Sequence, residues 1–309
     1  MSTPPNRPNE QRPKPEPQTK GKTMNATPKK LLVTLAGALL LGGSLEPAMA
    51  AVTTLAWYRG GEADSGATAG GAIPAMNDSI SDPDPTYKIM DSSVNDQYIV
   101  GGGDTQWTSD VPSAGELPLG ASTLAYKFTG NGMLYRTKNQ LTTTLNDSVG
   151  IECWVKSSVA NQAGGAVIAY NGTFGSGSSG FGLVQIGATY YGDLEGLGTV
   201  GSTPVSTSEW THLALVMSGG VTTFYVNGVF NASVGTVANP VLPLTPTGVF
   251  TFGGSPYATP PYYFSGNVDE TRVFSFAPGQ FSVNDLNIPE PAAVSLLGLA
   301  MLGLWRRRA

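Results

Sequence analysis

The chain has a single cysteine and a single histidine in 309 residues. With Cys153 alone, no disulfide can form within the chain, and the thiols carry no record of the redox compartment. With His212 alone, any metal centre built on two or more imidazoles is excluded. Helical periodicity is scarce too: between Ala51 and Ile288 almost nothing repeats apolar residues at three- and four-residue intervals. Positive charge is the next shortage. Residues 51–288 hold seven Lys and Arg against eighteen Asp and Glu, eleven more acids than bases. So few cations cannot neutralise a phosphate backbone, so nucleic acid and anionic lipid are poor partners for this body. Long apolar runs are also missing: the stretch Ala292–Trp305 has 14 residues, where a bilayer span needs about 20.

The basic residues that the body lacks sit at the two ends. From Met24 the sequence reads MNATPKK, then LLVTLAGALLLGG, then SLEPAMA. Two lysines, an apolar stretch and the small-x-small tripeptide Ala48-Met49-Ala50 form a secretory signal peptide, with cleavage expected between Ala50 and Ala51. Residues 1–23 are rich in proline and charge; they read either as a disordered extension of the leader or as a start placed too early, with Met24 the true beginning. The other end reads NIPEPAAVSLLGLAMLGLWRRRA, an apolar run between Pro289-Glu290-Pro291 and Arg306-Arg307-Arg308. Arginines beside an apolar run stay on the cytoplasmic side, so this tail would halt in the membrane with the body outside.

The 238 residues between these ends suit one large all-β domain. Short runs of Val, Thr, Phe and Tyr are punctuated by Gly, Asn and Pro, the pattern of a sandwich or barrel. Thr211–Met217, Val221–Val226 and Val229–Val234 form an expected three-stranded meander, turning at Ser218-Gly219-Gly220 and at Asn227-Gly228. Asn-Gly between β runs is a strong hairpin signal, because a type I′ turn needs positive φ at both central residues. Further strands are expected at Thr54–Tyr58, Leu124–Phe128, Gly150–Lys156, Ala166–Tyr170, Gly182–Ile186, Val249–Gly253 and Asn267–Phe274. Residues 60–120 read mostly as loop, and Gly172–Gly182 as a flexible loop or hairpin tip.

Four pieces in fixed order carry a family resemblance: IECWVKS (151–157), EWTHLALVMSGGVTTFYVNGV (209–229), FGGS (252–255) and FSGNVDETRVFSFAPGQFSVNDL (264–286). Together they resemble the concanavalin A-like, laminin-G-type jelly rolls of bacterial surface and secreted proteins. That family shows a Trp-containing strand, then W-x-H-hydrophobic-A, Y-V-N-G and F-x-G-x-[IV]-D-E-x-R-[IV]; YRGGEADSGATAGG (58–71) resembles its opening strand and glycine-rich loop. The closing turn Phe276–Leu286 is irregular against the family's short L-x-x-x-[EQ]-like helical turn. The tail is similar to a PEP-CTERM sorting signal, found on exported proteins of Gram-negative bacteria that make exopolysaccharide. This resemblance implies recognition and cleavage by a membrane exosortase, the alternative being a permanent C-terminal anchor.

Because such jelly rolls include glycoside hydrolases as well as lectins, carboxylate pairs matter. The Glu-x-Asp-x-x-Glu strand common in the family's β-glucanases is absent: Glu62-Ala63-Asp64 is followed by Ser, Gly and Ala67. Asp193-Leu194-Glu195 has same-face spacing but lies among glycines with no third acid, and reads as a solvated strand face. No Gly-x-Ser-x-Gly elbow accompanies His212, which reads as packed and hydrogen-bonded, and Cys153 reads as a small apolar filler. Asp269 and Glu270 should point to opposite faces, and an inward Asp needs an arginine, backbone N–H groups or a cation. The family resemblance implies Ca²⁺ held between Asp269 and the glycine-rich loop, with Asp64 as a second ligand; the alternative is a salt bridge to Arg272 or Arg59. Tyr190, Tyr191, Tyr257, Tyr262 and Tyr263 fall in or beside loops and could stack on sugar rings.

The reading is therefore an all-β jelly-roll sandwich at 51–288, flanked by an extension and signal peptide at 1–50 and a sorting tail with a short apolar helix at 289–309. It describes an exported, non-catalytic protein of a Gram-negative-type cell surface or matrix, transiently held in the inner membrane. It binds a polysaccharide or another envelope partner, or serves as a structural or protein-interaction module without glycan affinity.

Overall fold

The computed structural model describes residues 52–287 except 75–88, 96, 114–120, 137–140, 142–144, 176–178 and 244. All lie in the compact unit Glu46–Ala309. Ala50, Ala51 and the tail from Pro289 to Arg308 lie outside the described residues.

Among the described residues, thirteen strands run in chain order. They are β1 (Thr53–Tyr58), β2 (Val100–Thr108), β3 (Ala125–Tyr135), β4 (Val149–Ser157), β5 (Gln162–Gly172), β6 (Gly180–Gly187) and β7 (Thr189–Leu194). The rest are β8 (Gly198–Pro204), β9 (Thr211–Ser218), β10 (Val221–Val226), β11 (Val229–Val234), β12 (Val249–Phe252) and β13 (Ser265–Ser275), with a 3₁₀ turn at Val283–Asp285. They hydrogen-bond in the order β11-β10-β9-β4-β13-β3-β12-β5-β6-β7-β8, with β1 on β13 and β2 on β3. Every pairing is antiparallel.

This one sheet folds over into two layers, and β3 makes the corner. Its first half, Tyr126–Thr129, pairs with β13, and Leu134 and Tyr135 pair with β12. At the far ends the layers nearly meet: Asn231 on β11 donates from Nδ2 to the Ser202 carbonyl on β8 and accepts from the Ser202 N–H, both at 3.0 Å. A side-chain amide thus stands in for a missing backbone rung. Gly201 makes room for it, since a Cβ there would come within 2.6 Å of Asn231 Oδ1.

The core lies between the layers and is dominated by aromatics. Phe252 is the hub, its ring 5.4 Å from Tyr58 and Tyr126 and 6.3 Å from Phe128. Each such ring, fully withdrawn from water, contributes roughly 1.5–3 kcal/mol. Alternation places Ile151, Cys153 and Val155 of β4 and Leu213, Leu215 and Met217 of β9 in this core. The opposite face of the same strands is also buried, because Phe276, Phe281, Val283 and Leu286 fold back over Ala214, Val216 and Phe274.

The meander is as expected, with one shift: Ser218 belongs to β9, and the first turn is Gly219-Gly220 alone. Asn227 and Gly228 both have positive φ, 49° and 71°, as a type I′ turn requires. Strands β2, β7 and β8 were not expected. Their sequences (VGGGDTQWT, TYYGDL, GTVGSTP) are glycine-rich, and they are held by long ladders to neighbouring strands rather than by intrinsic preference.

Candidate functional site

At one end of the sandwich, β1 runs into the glycine-rich loop and meets the middle of β13. Gly60 and Gly61 carry φ of 77° and 130°, which turn the chain sharply enough to bring Glu62 and Asp64 over the sheet end. A Cβ on Gly60 would lie 2.3 Å from the Leu124 carbonyl and 2.6 Å from Asp269 Oδ1. Only glycine lets the backbone approach this closely. Glu62 Oε1 accepts from the Ser122 hydroxyl at 2.8 Å and from the backbone N–H groups of Thr123 and Leu124. Asp64 accepts from Met90 N–H at 2.7 Å and from the Trp107 indole N–H at 3.2 Å.

Asp269 and Glu270 do not divide between core and solvent as strand alternation suggests. A bulge interrupts the β13–β4 register between Asp269 and Arg272, Glu270 takes φ 50°, and both side chains are buried. Glu270 pairs with Arg59 at 3.0 Å. Asp269 has no cationic partner among the described residues; its Oδ1 accepts from Glu270 N–H at 2.8 Å, and its Oδ2 is buried without a hydrogen bond. Burial drives its carboxyl well above the usual range, the charges of Glu270 and Glu62 add to this, and the facing Ser122 hydroxyl opposes it. Burial likewise raises Asp64 to about 6, against the Met90 and Trp107 donors. Tyr126, whose hydroxyl is also buried without a partner, has its phenol pushed up by burial and then by Asp64, Asp269 and Glu62. Of these groups, Glu62 and Asp64 are satisfied by donors, while Asp269 Oδ2 and the Tyr126 hydroxyl are left without a partner.

The fit to a hard cation can be tested on these atoms. Asp269 Oδ2 is an orphaned buried oxygen, and the Leu124 carbonyl and Ser122 hydroxyl are oxygens of the kind Ca²⁺ prefers. Asp64 fits less directly, since both its oxygens already accept N–H donors. Among the described residues no group of three or more His, Cys, Asp or Glu side chains is arranged to hold a metal, so a cation here would depend on main-chain and hydroxyl oxygens.

The tyrosines separate sharply. Tyr190 lies in β7 rather than a loop and is 0 % exposed, its hydroxyl accepting from Ser157 N–H at 3.1 Å. The expectation that it could stack on a sugar is corrected: alternation turns it into the core. Tyr191, its neighbour, faces the other way and packs against a cluster of Val167, Tyr170, Phe174 and Val184. Tyr262 is also committed to that cluster, its ring 5.0 Å from Phe174 and edge-on to it. Tyr263 is half-buried, and Tyr257 is 60 % exposed in the same 255–263 loop.

The pair Asp193 and Glu195 is not a solvated strand face either. Asp193 is buried and accepts from the Tyr170 hydroxyl at 2.8 Å, and Glu195 accepts from Gly175 N–H at 3.0 Å. Burial lifts Asp193 to about 7; Tyr170 opposes this and the Glu195 charge adds to it.

A fully buried charged group was not singled out in the sequence. Glu152, fully buried on the outer face of β4, accepts from Arg272 Nε, from Asn287 N–H at 2.9 Å and from His212 Nε2 at 2.9 Å. Burial alone would raise its carboxyl, but Arg272, His212 and the Asn287 N–H outweigh this and hold it below its ordinary value. An ionised carboxylate only accepts, which puts the proton of His212 on Nε2. The signal was present in pieces, as E-C-W, W-T-H and D-E-T-R, but only strand register places the residues together. Cys153, on the opposite face of β4, is buried and its thiol is raised by burial, then by Glu152 and Asp269.

The all-β layer pair is of the jelly-roll class, and comparison with known proteins agrees on the fold. The profile of the "Concanavalin A-like lectin/glucanases superfamily" matches residues 128–283, and the chain belongs to that superfamily. The profile of the "PEP-CTERM protein-sorting motif" matches residues 287–308, which marks an exported protein of Gram-negative-type bacteria subject to exosortase processing. No curated protein matches the chain. Among solved structures, domain 4 of an extracellular arabinanase from Geobacillus stearothermophilus, in complex with arabinotriose, is 17% identical with a TM-score of 0.48, covering 76% of this chain and 98% of that one. The receptor binding domain of botulinum neurotoxin mosaic serotype C/D is 12% identical with a TM-score of 0.46, covering 76% of this chain and 49% of that one. A Trypanosoma rangeli sialidase is 16% identical with a TM-score of 0.39, covering 51% of this chain and 26% of that one.

Proposed function

We propose that the body, residues 51–288, is a non-catalytic binding module displayed at the cell surface or in the extracellular matrix, recognising polysaccharide. Export uses the leader up to Ala50, and the tail holds the chain in the inner membrane until an exosortase removes it. The observation that carries the non-catalytic part is the fate of Asp193 and Glu195: Asp193 is only 7 % exposed beneath the Tyr170 hydroxyl and Glu195 is engaged by Gly175 N–H, so this carboxylate pair lacks the open access to a glycosidic bond that hydrolysis needs. Membership of the lectin/glucanase superfamily supports a glycan as ligand, with Tyr257 and Tyr263 of the 255–263 loop as the rings still open to one.

Calcium is part of this reading. Asp269, the Leu124 carbonyl and the Ser122 hydroxyl would hold it, and the bound ion would supply the positive charge that the buried Asp269 lacks. Chelator is then expected to lower the melting temperature of the wild type by several degrees and leave Asp269→Asn unmoved; equal shifts in both would assign the site to the Arg59–Glu270 ion pair alone.

The functional test is a polysaccharide panel probed with and without calcium, with reducing ends assayed in the same wells. Binding without product supports the module. Released product abolished by Asp193→Asn would establish a hydrolase instead. The second reading, a structural or protein-interaction module, is favoured if no polysaccharide binds, since the fold itself does not decide between them.

A further inference from the structure

We propose that the segment from Phe276 to Asn287 is a permanent strap of the folded body, and that the sorting cut falls C-terminal to Asn287. This rests on the reading of the tail as an exosortase substrate.

The strap leaves the end of β13 and recrosses the outer face of β4 and β9. It opens with Phe276 N–H donating to the Ser148 carbonyl at 3.1 Å. After an exposed turn at Ala277–Gln280, Ser282 and Asp285 cap each other across the 3₁₀ turn. Phe281 stacks on Phe274 at 5.9–6.2 Å from it and Tyr225, and Leu286 is buried beside Ala214 and Val216.

The last residue is held hardest. Asn287 N–H donates to Glu152 Oε2 at 2.9 Å, and its carbonyl accepts from the Trp154 indole N–H at 3.2 Å. Two residues earlier, the Asp285 carbonyl accepts from Arg272. Glu152, Trp154 and Arg272 sit on two adjacent strands, β4 and β13, so the clamp on the main chain is built from the rigid sheet. Withdrawing the strap would leave Glu152 and Arg272 without two of their partners and bare the Phe274 face, a costly exposure for buried charge.

Pro289 follows after Ile288 alone, and one extended residue reaches only about 3.5 Å. The sorting profile itself begins at Asn287, so signal and fold share that residue. A cleaving enzyme needs an accessible, extended main chain, and every bond from Val283 to Asn287 is withheld from it by the 3₁₀ turn and the clamp. In the cut one peptide C–N bond breaks beyond this point; water or another hydroxyl or amine acceptor takes the acyl carbon, and the tail departs with a free amine. The processed protein then ends in a C-terminus that the body itself grips.

Two measurements on the full chain test this. The first is the C-terminal peptide of the exported protein, read by mass spectrometry from a Gram-negative host that carries an exosortase. A terminus at Asn287 or beyond is expected; one at or before Leu286 overturns the proposal, and an exported chain still ending in Arg308-Ala309 overturns the reading of the tail beneath it. The second does not depend on the host: the purified chain in detergent is digested with a non-specific carboxypeptidase. Trimming is expected to halt within two residues of Asn287 in the wild type. In Trp154→Phe, which keeps an aromatic ring of smaller volume and removes the indole N–H, and in Glu152→Gln, the halt moves inward toward Gln280. A wild-type chain trimmed past Asp285 refutes the clamp whatever the first measurement gives.

Discussion

Asp193 holds its proton up to about pH 7 because burial penalises the charged form more than the Tyr170 hydroxyl relieves it. An unfolded Asp releases that proton near pH 4. The folded chain therefore binds more protons than the unfolded one between these values, so this group's contribution to stability is complete below about pH 4 and disappears as pH rises through 7. A shift of this size corresponds to about 4 kcal/mol. Asp193→Asn is expected to flatten the melting temperature between pH 4 and 8 and to exceed the wild type at pH 8; parallel curves would mean that the carboxyl is already ionised in the fold. The Asp-x-Glu spacing was plain in the sequence. Its burial was not, since Tyr170 lies 23 residues away and meets Asp193 only through the ladders β5–β6–β7. Tyr190 was misplaced for the same reason: a strand with glycine at its centre, TYYGDL, carries too weak a signal to assign inward and outward positions.

Elements whose signals are local were legible. The Asn227-Gly228 turn is specified by two adjacent residues, and the flanking β runs need no distant partner to be recognised. β2 is the opposite case, three consecutive glycines that form a strand only because β3 is beside them from Val100 to Thr108. β8 is similar, and its free edge is where Asn231 matters. Asn231→Ala removes both bonds to Ser202 and is expected to cost about 1–2 kcal/mol. Amide exchange should quicken along β8 and β11 and stay unchanged in β4. Uniform quickening across all strands would show instead that the two layers open as one unit without a separate seam.

At the scale of the molecule, the jelly-roll class was readable from four ordered motifs, whereas the burial of one layer on both faces was not. THLALVM on β9 is a nearly continuous apolar run, the mark of a strand covered on both sides, but the cover comes from residues 276–287, some sixty positions later. The acidic cluster beside the glycine-rich loop was legible only in part: Asp269 could be named, while the Glu270 bulge that buries both acids could not.

Cys153 sits on β4, flanked by β9 and β13, with one face of its strand in the core and the other beneath the strap. No reagent reaches a sulfur so placed while the layers stay closed, and burial also keeps it as the unreactive thiol. Alkylation of the native protein should therefore proceed at the rate of global opening, unchanged by raising reagent concentration once it saturates and accelerated by urea. Labelling that instead scales with reagent and ignores urea would mean a local breach beside β4. A chain that cannot form a disulfide of its own thus carries, in its only sulfhydryl, a clock that runs only when the whole sandwich comes apart.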